Sequence, residues 1–330
     1  MKLPGIVITD IPFSIQRVGR QLGEVIGYPV FNGFYIHDPK LRLFIYVGNP
    51  NDSMALLLGQ TPYYGRRYAY VVIEGDIINI PMPSKPINKW FVPSNFVMDK
   101  LVKYGITNVD VVPHGVDTRL LATPKPFEER SLFFYIAGYM IRKYPGYALY
   151  IYQRYGKEID IITTPNNPYI KYFNVISDKA YSKNVADELI AIQYATHRFY
   201  LNLSDAEGFG LTPLEACVYG CVPILPRIPV FTELYPSDLP IWVEWTGDTF
   251  NEPFHFEYIE HYVWDIEEMK NAIEYAKSMS KEEWEDKSQK CMEFAKQYDY
   301  RNVYKAFIPI TQGTDIEQTE TFTLLSTQVQ

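Results

Sequence analysis

The sequence predicts an α/β protein built of two doubly wound, Rossmann-like domains whose parallel sheets face a common cleft. Three observations predict this. Short apolar runs alternate with helix-length amphipathic segments along most of the chain, the mark of βαβ units. The 330 residues exceed one ordinary core and suit two. The alternation breaks at "TPKPFEER" (123–130), whose proline and charge content is that of a linker.

In the first block, "GIVITD" (5–10) reads as a buried strand. In 14–28, Ile15, Val18, Leu22, Val25 and Ile26 recur at helical spacing, with Ser14 as N-cap. A strand follows over 41–49, a short capped helix over 51–60, and a strand ending in an acidic turn over 67–76. Residues 90–106 pass from strand to helix, with Ser94 or Asn95 as cap and Gly105 as stop. The strand over 108–117 runs into a turn.

The second block repeats the pattern. Strands are expected over 130–139, 159–164, 197–204 and 221–226, with helices over 144–156, 184–195 and 212–220 between them. After residue 264 the chain reads as helical, and its last stretch, rich in Thr and Gln, as a polar tail or an added edge strand. Ligands of such sheets bind beyond the carboxyl ends of the strands, here at the cleft between the domains.

Composition narrows the function classes. Apolar residues make up 47% of the chain, which excludes global disorder. The net charge of −8 argues against a broad nucleic-acid-binding face. Residues 1–118 carry 11 Lys and Arg against 9 Asp and Glu, a weak bias towards an anionic ligand or a membrane surface. Cys217, Cys221 and Cys291 are too few and too scattered for a disulfide framework and read as small buried apolar residues. With no signal pattern and no apolar run of membrane-spanning length, a cytoplasmic protein is expected, soluble or peripherally attached to a membrane.

One stretch carries chemistry: "SDAEGFGLTPLEACVYG", Ser204 to Gly220. It follows a strand and opens a helix. Thr212 reads as the N-cap, Pro213 as the first helical residue and Gly220 as the stop. Gly208 and Gly210 let the backbone turn sharply and approach a ligand closely. Free N–H groups there form a small anion site. Thr212-Pro-Leu-Glu215 is also a capping box, which explains Glu215 as well as ligand binding does. Glu207 has no such local partner. Its carboxylate suits sugar hydroxyls.

"EGFGLTPLEA" resembles the E-x7-E signature of retaining glycosyltransferases of the GT-B fold, family four in particular. The resemblance covers about residues 90–308. "FVPSNFVMDKLVKYGITNVDVVPHGVD" is similar to the segment leading into the interdomain linker, "FYIAGYMIRKYPG" to the start of the C-terminal domain, and "MSKEEWEDKSQKCMEFAKQYDYRNVYKAF" to the closing helices.

The resemblance implies a role for each residue. Glu207 would contact donor-sugar hydroxyls at the catalytic centre, and Glu215 the ribose hydroxyls of the nucleotide. The backbone N–H groups of Gly208, Phe209, Gly210 and Leu211 would face sugar and diphosphate. Where the family carries an Arg after the first glycine of its C-terminal domain, this chain has Tyr139, so the diphosphate role passes to Arg142 and Lys143. Glu74, beyond a strand, stands where related enzymes place a catalytic or acceptor-side His or acid. "TDIPFSIQR" lacks the Gly-Gly loop usual after the first strand. His114 reads as a structural turn residue, and the Arg17/Arg20 and Arg66/Arg67 pairs as surface arginines within reach of an anionic acceptor.

The organisation implied is a shortened acceptor-side domain (1–117), a nucleotide-sugar-binding domain (118–293), a C-terminal helix packing back on the first domain (294–310) and a polar tail (311–330). The reaction implied is transfer of a sugar from a nucleoside-diphosphate-sugar with retention. UDP-sugar is the first expectation and GDP-sugar the second. The acceptor is a glycan, a lipid or a protein. No cofactor or metal is expected: the chain contains no Asp-x-Asp, and two cations with a helix N-terminus can stabilise the leaving diphosphate. Two other readings stay open, a non-catalytic nucleotide-sugar-binding subunit and an epimerase or phosphorylase of the same architecture. A dinucleotide-binding fold is disfavoured, because no G-x-G-x-x-G opens either domain.

Overall fold

The computed structural model describes residues 2–10, 13–33, 38–137, 143, 145–156, 158–163, 170–172 and 187–313. The first half runs β1 (Gly5–Thr9), α1 (Phe13–Ile26), β2 (Val30–Asn32), β3 (Leu43–Gly48), α2 (Asp52–Gly59), β4 (Arg66–Val71), β5 (Gly75–Ile77), β6 (Lys89–Val92), α3 (Asn95–Tyr104) and β7 (Val109–Val111). Six of its strands form a wholly parallel sheet in the order β2-β1-β3-β4-β6-β7. Strands β1 and β3 are buried throughout and apolar but for Thr9, as a sheet covered on both faces requires. Helix α1 lays Ile15, Val18, Leu22 and Ile26 against that sheet. It begins at Phe13, so Ser14 lies inside the helix and is not its cap. Ser94 does cap α3, accepting from Val97 N, and Gly105 closes the helix at a φ of 103°.

The second half runs β8 (Ser131–Ala137), α4 (Pro145–Tyr155), β9 (Ile159–Thr163), α5 (Asp187–Thr196), β10 (His197–Leu201), α6 (Leu211–Val218), β11 (Val222–Pro226), α7 (Pro229–Leu234), β12 (Ile241–Val243), β13 (Trp245–Phe254), β14 (Glu257–Trp264), α8 (Ile266–Ser278) and α9 (Lys281–Lys296). Its five-stranded sheet is also parallel, in the order β12-β11-β10-β8-β9. Cys217, Cys221 and Cys291 are free and buried in its core.

Several features tie the halves together. The hairpin β13–β14 leaves the second half and pairs antiparallel with β5 of the first. Gly75 permits this, since a Cβ there would lie 1.7 Å from Tyr258 O. Lys100 reinforces the seam, bonded to Asp76 at 2.9 Å and Glu260 at 2.5 Å. Glu233, on α7, accepts from Asn95 N at 2.6 Å and Phe96 N at 2.9 Å, placing an anion on the N-terminus of α3 across the interface.

Finally, the chain crosses back after α9. Val116 and Asp299 form a parallel bridge. Tyr300, Val303, Tyr304, Phe307 and Ile310 then join the core that holds Val7, Leu22, Tyr70 and Phe91. Residues 294–310 are not one helix. The α9 helix ends at Lys296, Asp299 caps a new turn at Tyr300–Val303, and a further turn spans Ile308–Thr311. Of the polar tail, 314–330 lie outside the described residues. Among the described residues no helix is long and apolar enough to cross a membrane.

Candidate functional site

The loop after β10 is held from three sides. Ser204 and Asp205 are fully buried. Ser204 N donates to Asn202 Oδ1 at 2.8 Å and Ser204 Oγ to Ala206 O at 3.0 Å. From β14, Tyr262 N donates to Asp205 O at 3.0 Å. His261 Nδ1 lies 2.8 Å from Asp205 Oδ2, an acceptor, so that nitrogen carries the hydrogen. From the first half, Ser94 Oγ donates to Gly208 O at 2.8 Å. A Cβ on Gly208 would lie 2.4 Å from Ile73 O and Val72 Cγ2, so the loop packs directly on the residues following β4. The carboxyl edges of the two sheets therefore meet at Gly208.

Gly210 adopts a φ of 82° and a Cβ there would strike Phe231 at 2.4 Å. Between the glycines, Phe209 turns inward, 3% exposed, its ring 5.1 Å from that of His114. The glycine turn thus presents backbone rather than an aromatic face. Helix α6 starts at Leu211, and its first N–H groups have no partner within the helix.

Glu207 stands at the head of this turn. Its carboxylate pairs with Lys143 Nζ, the two side chains 11% and 22% exposed. The sequence links these residues only through the resemblance, and the fold brings them into contact. The backbone carbonyl of Lys143 accepts from Tyr135 Oη at 3.2 Å, fixing the cation beyond β8. Arg142, assigned the same diphosphate role, lies outside the described residues, as does Tyr139.

Glu215 corrects one expectation. Helix α6 is capped by Gly210, so Thr212 is inside the helix and the capping box does not form. The Glu215 carboxylate instead pairs with the Arg17 guanidinium on α1, which also lies 3.6 Å from Asp187. Burial raises the Glu215 carboxyl above the ordinary range, and Arg17 opposes the rise. Arg17 is therefore not a free surface arginine. Arg17 and Glu215 line a cavity of about 280 Å³ at the junction of the halves, with Arg20, Asp187, Tyr194 and Arg119. Arg67 is likewise no acceptor contact: it is buried, and donates to Thr61 Oγ1 at 2.7 Å and Pro62 O at 2.5 Å.

His114 is buried, which depresses its pKa to about 3 and keeps the ring neutral. Its Nδ1 lies 2.7 Å from Tyr70 Oη. Glu74 follows β4 and its backbone is clamped by the hairpin. Its N–H donates to Glu257 Oε2 at 2.6 Å and its carbonyl accepts from Glu260 N at 3.3 Å. It lines a cavity of about 850 Å³ that shares the wall residue Val72 with the glycine turn. Sequence reasoning did not identify Arg17 as the partner of Glu215, or Ser94 and the β13–β14 hairpin as supports of the Glu207 loop. Only the Ser94 cap carried a local signal.

No protein-family profile matches the chain. Over 121 residues, 37% of the chain, it is 36% identical to a candidate glycosyltransferase, ORF313, of Acidianus filamentous virus 1, and the match spans 38% of that protein. It is 24% identical to "Uncharacterized glycosyltransferase 335" of Sulfolobus islandicus rod-shaped virus 1, over 91% of this chain and 96% of that protein. Among solved structures it is similar to Anabaena Alr3699/HepE in complex with UDP and glucose, with a TM-score of 0.68 and 11% identity over 94% of this chain and 99% of that one. It is similar to TarM with a TM-score of 0.57 and 12% identity, over 82% of this chain but 54% of that one. The fold is GT-B: two Rossmann-like halves whose parallel sheets face a cleft.

Proposed function

We propose that the protein is a retaining, metal-independent glycosyltransferase that moves a sugar from a nucleoside-diphosphate-sugar, UDP-sugar first, to an acceptor held by the first half. The observation that carries this reading is the Glu207–Lys143 pair at the head of a glycine turn, where the carboxyl edges of both sheets meet. The names of the viral relatives, and of the similar structure bound to UDP and glucose, support it.

In this reading Glu207 accepts hydrogen bonds from the donor sugar's hydroxyls, and Lys143 and Arg142 meet the diphosphate. The first N–H groups of α6 add to the field that stabilises the leaving group. Glu215 takes the ribose hydroxyls. Glu74, across Val72 from the turn, receives the proton of the acceptor hydroxyl. The bond from the anomeric carbon to the diphosphate breaks, and the bond to the acceptor oxygen forms on the same face of the sugar.

Calorimetric titration with UDP, GDP and ADP, without added metal and then with EDTA, tests the donor site. Binding of one diphosphate that survives EDTA is the expected result. Binding of none would remove the donor site and leave the stand-alone enzyme without support. The anomeric configuration of the product, read by NMR, tests retention.

A further inference from the structure

Strand β14 belongs to neither parallel sheet, yet it fastens both loops that carry the proposed chemistry. At its start, Glu257 Oε2 accepts from Glu74 N at 2.6 Å, and Glu260 N donates to Glu74 O at 3.3 Å. Further along, His261 Nδ1 donates to Asp205 Oδ2 at 2.8 Å and Tyr262 N to Asp205 O at 3.0 Å. Asp205 stands two residues before Glu207. Glu257 and His261 are four residues apart, so their side chains leave the same face of the strand about 13 Å from each other. Both are buried, at 1% and 0% exposure. One extended segment thus spans from Glu74 of the first half to the loop of Glu207 in the second.

The His261 ring is itself held by β13. Phe250 lies parallel to it, with ring centroids 4.4 Å apart and planes 2° apart. Its Nε2 faces Glu252 Oε2 at 3.3 Å. Asp205, the group it bonds, is fully buried. A carboxylate at that depth is costly unless hydrogen-bonded, so a donor on a rigid strand fixes where it sits. With its carboxylate and its carbonyl both bonded to one strand, Asp205 cannot rotate without breaking those bonds. Glu207 inherits that orientation through the short stretch of backbone between them. Neither Asp205 nor the hairpin belongs to the E-x7-E stretch. We propose that β14 is the spacer that sets the Glu74 loop against the Glu207 loop, and that His261 is a positioning residue for transfer: its Nδ1–H orients Asp205, and through it the Glu207 carboxylate. The proposal rests on the reading of Glu207 as the group that meets the donor sugar.

The test compares His261→Phe, His261→Asn and His261→Gln in the full chain. Phe keeps an aromatic ring against Phe250 but donates nothing. The Asn amide takes the place of Nδ1, and the Gln amide that of Nε2. The assay is release of UDP from UDP-glucose, UDP-galactose or UDP-N-acetylglucosamine, with kcat and KM read separately, beside calorimetric binding of UDP. The expected result is a fall in kcat of about tenfold or more in His261→Phe and His261→Gln, with KM and UDP affinity within about twofold of wild type. His261→Asn should recover kcat to within about threefold. Amide hydrogen exchange across 204–208 should rise in the first two variants and stay at the wild-type level in the third.

A wild-type kcat in both His261→Phe and His261→Gln would overturn the proposal. So would equal losses in His261→Asn and His261→Gln, or a fall in kcat matched by loss of UDP binding, which would mark a residue that only holds the fold. If His261→Phe does not fold, the comparison of Asn with Gln decides. Unchanged exchange across 204–208 in the variants lacking the Nδ1 donor would overturn it whether or not the protein turns over a donor. Failure of the donor reading would look different: wild type would release no UDP, while exchange across 204–208 would still separate His261→Asn from His261→Gln.

Discussion

Glu207 and Lys143 meet although they occupy different βα units of the second half, and their pairing decides what each substitution should do. Removing the Glu207 carboxylate removes the group assigned to the sugar, so Glu207→Ala should lower transfer by about a hundredfold or more while UDP affinity changes little. Equal loss of UDP affinity would move Glu207 from the sugar to the nucleotide. Lys143→Ala should weaken binding of a nucleoside diphosphate far more than binding of the nucleoside. Calorimetry with UDP and uridine separates the two, and parallel weakening would count against a phosphate role. Glu215→Ala should weaken nucleotide binding. It should also cost about 1–3 kcal/mol in stability, because the Arg17 guanidinium loses its nearer carboxylate in a half-buried site and keeps Asp187 at 3.6 Å. Urea unfolding of Glu215→Ala, Arg17→Ala and the double variant measures the coupling, and additive losses would show that the pair contributes nothing. The place of Glu207, at the head of a glycine turn between a strand and a helix, was legible in sequence because the apolar run, the two glycines and the helix follow one another locally. The partner of Glu215 was not. Arg17 is remote in sequence, and the local capping box offered a sufficient but incorrect account.

At the level of elements, the strand–helix alternation was legible wherever both faces of a strand are buried. β1, β3 and β11 are apolar runs but for Thr9, and their helices carry clear stripes. The hairpin was not legible for the opposite reason. β13, "WTGDTFNEPF", is almost entirely exposed and shows neither apolar alternation nor a buried run. Its partner β5 is three residues long and gains a sheet only by pairing with another half of the molecule. That pairing has a test. Gly75→Val would drive a side chain into Tyr258 O, so the variant should be destabilised and should lose the Glu257 and Glu260 bonds to the Glu74 backbone. Amide hydrogen exchange should rise across 72–77 and 257–262 while the six-stranded sheet stays protected. Unchanged exchange would mean that the hairpin does not depend on this register.

The crossing segment makes a pH prediction. Asp299 is held at about 2, first by its bonds to Arg301 and also by Thr118, with burial opposing. A depressed carboxylate adds stability above its unfolded pKa of about 3.9, and that stability is lost as pH falls towards 2. Wild type should therefore lose part of its stability between about pH 4 and pH 2, and Asp299→Asn should flatten that stretch of the curve.

The molecule as a whole is two sheets joined by more than a linker. The hairpin, the Glu233 cap on α3, the Ser94 bond to Gly208 and the returning C-terminal segment all cross between halves. Such coupling predicts one cooperative unfolding transition, coincident by far-UV circular dichroism and tryptophan fluorescence; two separated transitions would show that the halves are only loosely joined. The same closure brings the glycine turn and the cavity beside Glu74 to one wall, Val72, and it is this arrangement that the proposed transfer requires. The most direct test of that claim is nucleoside diphosphate release from a nucleotide-sugar whose diphosphate binds, compared between wild type and Glu207→Gln. The account predicts release by wild type and its loss in the variant, with diphosphate binding retained in both. Release that continues at the wild-type rate in Glu207→Gln, or its absence from wild type with any glycoside acceptor, would contradict it.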